Sequence, residues 1–199
     1  MPRAFATEEK IHIRSLLMKA GLARFGREGV RAARIDDLCR DAGIAKGSFY
    51  AFFPSKEELF MTIADEREAG HRADMLAHVE SFAGTQRACA YGFFDMLVAK
   101  IETDPVLSMI MRHEEIPYLM RKLGPDRMRQ GEASDAAFVA EVAARWPRQP
   151  VSSTDLLALM TMTLSLVISA RSMTPGQYRP ALALLRDLFA DRLVGGRND

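Results

Sequence analysis

Apolar residues recur along this chain at intervals of three and four, and alternation never persists over a strand length. That pattern predicts helices and no sheet. Ile13, Leu16, Leu17 and Ala20 form the stripe of a first helix that starts at Thr7, has Glu8 and Glu9 in its first turn, and runs to about Phe25. Gly26 and Gly29 are expected to stop it. Ile35, Leu38 and Cys39 give one apolar face to a short second helix ending near Ala42. Gly43 then supplies the positive φ of a tight turn, and Ile44 drops an apolar side chain back between helices. Ala45 to Phe52 reads as a third helix of about two turns. Phe49 and Phe53 lie on its inner side, with Lys46, Gly47, Ser48 and Tyr50 opposite.

Downstream, Pro54 ends that helix, and Ser55-Lys56-Glu57-Glu58 reads as a capping box opening a long one that reaches about Phe82. Thr85 to Glu102 is a strongly apolar helix. Asp104-Pro105 caps another, expected to continue to about His113 and to be interrupted by Pro117. Helices follow over 118–123 and from Pro125 to Trp146. Ser153 or Thr154 caps one running to about Ser172, and Thr174-Pro175 starts the last, to Val194. The expectation is nine or ten helices.

Two short helices joined by a three-residue turn containing glycine form the helix-turn-helix signature, whose second helix is offered to the DNA major groove. Charge agrees with this. The chain of 199 residues carries a net charge of only +1, but residues 1–56 hold 11 Lys/Arg against 6 Asp/Glu, and the remainder is net acidic. A basic head on a slightly acidic body suits DNA reading, because phosphates attract the head while the body does not adhere.

The segment KGSFYAFFPSKEELF, preceded by IDDLCRDAGIA, resembles the DNA-binding region of the TetR family of transcriptional regulators over roughly residues 7–60. The small residue before Phe49-Tyr50, Phe53 after it, and Lys56 all hold that family's spacing. Three positions depart from it. Ala33 and Ala45 stand where Ser or Thr would cap the following helix, a change that typically costs about 1 kcal/mol. Phe52 stands where His or another polar residue is common. The resemblance implies an all-α chain, with a three-helix helix-turn-helix DNA-binding domain over 1–54 and a larger helical-bundle domain over 55–199 for effector binding and dimerisation. It also implies a transcriptional regulator, a repressor in the commoner case, that binds a palindromic double-stranded DNA operator as a homodimer and is released by a small molecule.

Residue types assign the DNA contacts. Lys46 can reach a phosphate or a guanine edge, and Gly47 lets the backbone approach the groove wall. Ser48 and Tyr50 offer hydroxyls, Lys56 would clamp the flanking backbone, and Arg34 sits just before the second helix near a phosphate. The alternative for Lys46 and Tyr50 is a solvated lysine and a core aromatic.

In the body, Leu156, Leu159, Met160, Thr163 and Val167 form one stripe, and Leu182, Leu185, Leu188 and Phe189 another. Apolar residues off these stripes, among them Leu157, Leu164 and Leu184, require a second buried face, and Leu156, Leu159, Met160, Thr163, Leu164, Val167, Leu182, Leu185, Leu188 and Phe189 are read as candidates for the four-helix dimer interface that TetR-like proteins build. A plain intramolecular core is the alternative. Phe93, Phe94, Met96, Met109, Met111, Met120 and Met162 are candidates to line an apolar effector pocket, since methionine adapts to varied shapes; simple core is again the alternative.

The remaining chemistry is sparse. His113, Glu114 and Glu115 are adjacent and point apart, and His71 and His78 lack a third ligand, so no metal or other cofactor is expected. There is no G-x-S-x-G, P-loop or G-x-G-x-x-G, and no enzyme is expected. Cys39 and Cys89 read as free core thiols of a cytoplasmic protein, and the N-terminus lacks the apolar core of a signal peptide. The most apolar run, Leu156 to Ala170, is too short and too rich in Ser and Thr to span a membrane. Two rivals remain open: the same fold answering to a protein partner rather than a small molecule, and an all-helical enzyme or lipid carrier with a vestigial head.

Overall fold

A computed structural model describes residues 7–110 and 115–195. Every regular element among them is helical: α1 (Thr7–Glu28), α2 (Ile35–Asp41), a 3-10 helix (Lys46–Ala51), α3 (Lys56–Ser81), α4 (Gln86–Thr103), α5 (Pro105–Ile110), α6 (Glu115–Ala144), α7 (Ser153–Ser169) with a 3-10 turn after it, and α8 (Pro175–Gly195). The chain divides into two compact units. One runs to Glu68 and takes in Pro105–Met128; the other comprises Ala69–Asp104 and the chain from Arg129 onward.

The first unit is built on aromatic packing. Leu17 and Phe25 of α1, Leu38 of α2, Phe49 of the 3-10 helix, Leu59 and Phe60 of α3 and Met109 of α5 share one core and are fully buried. Phe25 meets Phe60 edge to face at 5.7 Å, a geometry that adds to the area each ring buries. In the second unit, α4, α7 and α8 pack on one another. Phe93 lies against both Phe189, at 6.1 Å, and Trp146, at 5.6 Å. The buried Thr163 hydroxyl is satisfied by donating to the Leu159 carbonyl at 2.8 Å.

Several helix ends follow the expected chemistry. Ser55 Oγ accepts from the Glu58 N–H at 3.1 Å, and Thr85 caps α4 through the Ala88 N–H. The Gln177 side chain reaches back to the Thr174 N–H at the start of α8. Others differ. α1 passes through Gly26 and ends at Glu28, because one interior glycine costs only about 1 kcal/mol against the burial of Phe25 and its neighbours. Pro117 does not interrupt a helix: α6 begins at Glu115, which puts the proline in a first turn where its missing N–H has no partner to lose. The break falls at Gly124, with φ 78 and ψ 169, immediately before Pro125. α7 is capped by Ser152, whose Oγ accepts from the Asp155 N–H, one residue ahead of the expected Ser153 or Thr154. The expected end of α5 near His113 lies outside the described residues.

Candidate nucleic-acid interface

The turn between α2 and the 3-10 helix is a complete Schellman motif. The Ile44 N–H donates to the Cys39 carbonyl at 2.9 Å, and the Gly43 N–H to the Arg40 carbonyl at 3.2 Å. Gly43 adopts φ +69, which an L side chain enters only at a cost. Ile44 is half-buried against the core, closing the turn. The helix that follows is tighter than expected: Lys46–Ala51 in place of an α-helix over Ala45–Phe52, with Ser48 N–H bonded to Ala45 C=O. Ala45 offers no side-chain cap, and Phe49 and Phe53 must both reach the core before Pro54. Their rings sit 6.1 Å apart, with the Arg14 guanidinium 5.0 Å over Phe53.

That anchoring turns the other side outward. Lys46, Gly47 and Tyr50 are exposed and Ser48 half-buried. A Cβ added at Gly47 would meet nothing within 4 Å, so the backbone there is open to approach. Tyr50 is 58% exposed and touches Phe49 edge to face. Lys46 Nζ lies 2.8 Å from Asp36 Oδ1, and that hydrogen bond holds the Asp36 carboxyl below its ordinary range. Arg34 is exposed and is itself the N-cap residue of α2, where it makes no side-chain cap.

Lys56 has a different position from a simple phosphate clamp. It is half-buried, with Nζ donating to the carbonyls of Arg31 and Ala33, each at 2.8 Å, and its pKa is lowered chiefly by burial. It thus gathers the loop that leads into α2. Glu115 holds the same loop: buried, it accepts from the Arg31 N–H at 3.3 Å. It also fills the space that a side chain on Gly29 would need, at a residue with φ +83. Nearby, the Tyr118 hydroxyl donates to buried Glu57.

Sequence reasoning missed the charges that brace α2. Arg24 on α1 is buried and donates to Asp41 Oδ2 through Nε at 2.9 Å, and to Glu28 Oε1 at 3.0 Å. Asp37 pairs with Arg40 at 2.6 Å. Glu28 lies four residues from Arg24 on the same helix and could have been found by spacing; Asp41, seventeen residues away, could not.

The pocket candidates fall in both units. Phe93 and Phe94 are fully buried on α4 against Phe189, and Met96 is half-buried on the same helix. Met162 is exposed on α7. Met109 and Met120 belong to the first unit, the one in its core and the other on its surface. Met111 lies outside the described residues. Trp146 was not a candidate, yet its indole N–H is buried without an acceptor among the described residues.

The association stripes divide by depth. Leu156, Leu159, Thr163, Val167, Leu185 and Phe189 are buried within the subunit, because α7 and α8 spend that face on α4 and on each other. Met160 and Leu182 are half-buried. Leu164 and Leu188 are exposed, together with Leu157 and, at 62%, Leu184. His71 engages Asp104 at 2.8 Å and Lys100 at 3.1 Å, and His78 lies 3.2 Å from the Cys89 carbonyl. Both cysteines are free and buried. No described helix is long and apolar enough to cross a membrane.

Residues 17–63 match the sequence pattern of the bacterial regulatory proteins of the tetR family. No curated protein matches the chain in sequence. Among solved structures, a TetR-family transcriptional regulator from Streptomyces coelicolor superposes with a TM-score of 0.66 at 14% identity, over 92% of this chain and 96% of its own. The fatty acid degradation regulator FadR from Bacillus halodurans gives 0.60 at 14% identity, over 94% and 97%. RolR in complex with resorcinol gives 0.51 at 21% identity, over 96% and 90%. Identities this low establish a shared fold, and the matched segment covers the helix-turn-helix itself. The helix-turn-helix segment is thus similar to that of the bacterial regulatory proteins of the tetR family, and the chain as a whole shares its fold with solved TetR-family regulators.

Proposed function

We propose that the protein is a cytoplasmic repressor that binds a palindromic operator as a homodimer and leaves it when a small apolar or amphipathic effector binds. The observation that carries this reading is the 3-10 helix Lys46–Ala51, anchored by Phe49 with Lys46, Gly47 and Tyr50 turned outward. In this reading Lys46, Ser48, Tyr50, Arg34 and the bare backbone at Gly47 meet the duplex. Lys56 serves it by holding the loop before α2. Residues 1–54 are the DNA-binding part and 55–199 the effector and dimerisation part. Two subunits place two such helices about 34–36 Å apart, one turn of duplex.

Dimerisation is supported by the apolar face that the second unit leaves open, with Leu157 and Leu164 seven apart on α7 and Leu184 and Leu188 four apart on α8. The effector reading is supported by the aromatic cluster of Phe93, Phe94 and Phe189. At its edge, the Trp146 N–H would be satisfied by a ligand carrying a carbonyl or hydroxyl oxygen. FadR, named for fatty acid degradation, and RolR, which holds resorcinol, are relatives of fold whose names point to organic molecules of that class.

Selection of duplexes from random DNA tests the first half, and should return an inverted repeat with half-sites one turn apart. The emission of Trp146, the chain's only tryptophan, tests the second. A compound that shifts it and raises the thermal midpoint should also weaken binding to the selected duplex, because effector and operator are linked through one coupling energy. Compounds that shift the emission and leave duplex affinity unchanged would argue against release.

A further inference from the structure

Each carboxylate of α2 faces a base: Asp41 holds Arg24, Asp37 holds Arg40, and Asp36 holds Lys46. The first ties α1 to α2 and the second lies along α2 itself. The Asp36–Lys46 pair is different, because it crosses the turn onto the exposed side of the 3-10 helix. Both side chains are open to solvent, 46% and 63% exposed. Arg34, at the N-terminus of α2, adds its charge to that of Lys46 in keeping Asp36 ionised.

Resting on the DNA-binding reading above, we propose that Asp36 is a specificity-determining residue, which occupies Lys46 in the free protein and so suppresses binding to arbitrary duplex. Attraction between lysines and phosphates is independent of sequence and supplies essentially all non-specific binding. A lysine already neutralised at 2.8 Å releases no counterion until its partner is displaced. Its carboxylate, meanwhile, brings a negative charge up to the phosphates. An exposed pair is weak enough to open. It therefore yields on a duplex that makes the remaining contacts well and stays closed on one that does not.

The test is a four-way set of full-length proteins: wild type, Asp36→Asn, Lys46→Ala and the double variant. Each is titrated over a range of salt concentrations with a random-sequence duplex and with the duplex that the wild type selects. Asp36→Asn should tighten binding to the random duplex roughly two- to fivefold, the size of an exposed pair's coupling. It should also steepen the logarithmic salt slope by about 0.9, one additional phosphate neutralised. The selected duplex should gain less, so the ratio of the two affinities falls. In the Lys46→Ala background, Asp36→Asn should change little. An equal gain with and without Lys46 would make Asp36 a merely repelling charge and overturn the proposal, as would no gain at all. Failure of the wild type to bind any duplex would instead remove the function on which the proposal rests.

Discussion

Tyr50 is exposed on a helix whose next-door phenylalanine is fully buried, so its hydroxyl can be removed without disturbing the core. Tyr50→Phe and Lys46→Ala should each weaken binding to the selected duplex and leave the far-ultraviolet dichroism unchanged; the thermal midpoint should stay put for Tyr50→Phe and fall only slightly for Lys46→Ala, which loses an exposed pair with Asp36. For Lys46→Ala the salt slope should also shrink by about 1. A gel shift with both variants at several salt concentrations checks this. Asp74 offers a test of the second unit that does not involve DNA. Its carboxyl is held below the ordinary range chiefly by a hydrogen bond from Lys100, at 2.8 Å. A depressed pKa stabilises the fold above the ordinary carboxylate range, and that contribution is lost as pH falls through the lowered value. Asp74→Asn should therefore lower the urea midpoint at neutral pH and narrow its gap from wild type as the pH falls toward 3. Equilibrium unfolding at the two pH values measures it.

Among the elements, the α2 turn is where sequence and structure agree most closely. Gly43 and Ile44 could be read as the end of a helix because only a glycine takes a positive φ freely and an apolar residue must follow to seal the turn. Gly43→Ala should cost roughly 1–2 kcal/mol, the price of a left-handed L residue, and lower the thermal midpoint by calorimetry. The cap at Ser55 was legible for the same reason: its hydrogen bond closes within three residues. The tighter winding of the 3-10 helix was not, since it depends on where Phe49 and Phe53 must go rather than on their spacing. Nor was the role of Lys56, whose partners lie 23 and 25 residues away. Helical period identified α7 and α8 as apolar on two sides. Which side each helix spends inside the subunit is decided by α4, and periodicity carries no information about that neighbour.

For the whole molecule, the account requires two chains. α7 and α8 each carry exposed leucines, Leu157 and Leu164 on the one and Leu184 and Leu188 on the other, that the subunit's own core leaves uncovered. Leu184→Asp with Leu188→Asp should yield a folded monomer in analytical ultracentrifugation that no longer binds the selected duplex, while the intramolecular core at Leu185 and Phe189 is untouched. The charge distribution belongs to this scale as well. A head with 11 basic against 6 acidic residues on a net acidic body predicts association that weakens steeply with salt. The chain passes between its two compact units three times, near residues 68, 104 and 128, so a ligand ordering one unit has several covalent routes to the other.

The central claim is that the exposed side of Lys46–Ala51 reads DNA sequence. Competition between the selected and random duplexes for the full-length protein, at one fixed salt concentration, tests it most directly. The expected preference for the selected duplex is at least about a thousandfold, reduced several-fold in the combined Lys46→Ala and Tyr50→Phe variant, since Lys46 leaves Asp36 only on the selected duplex. Equal affinity of the wild type for the two duplexes, or a preference unchanged by both substitutions, would contradict it.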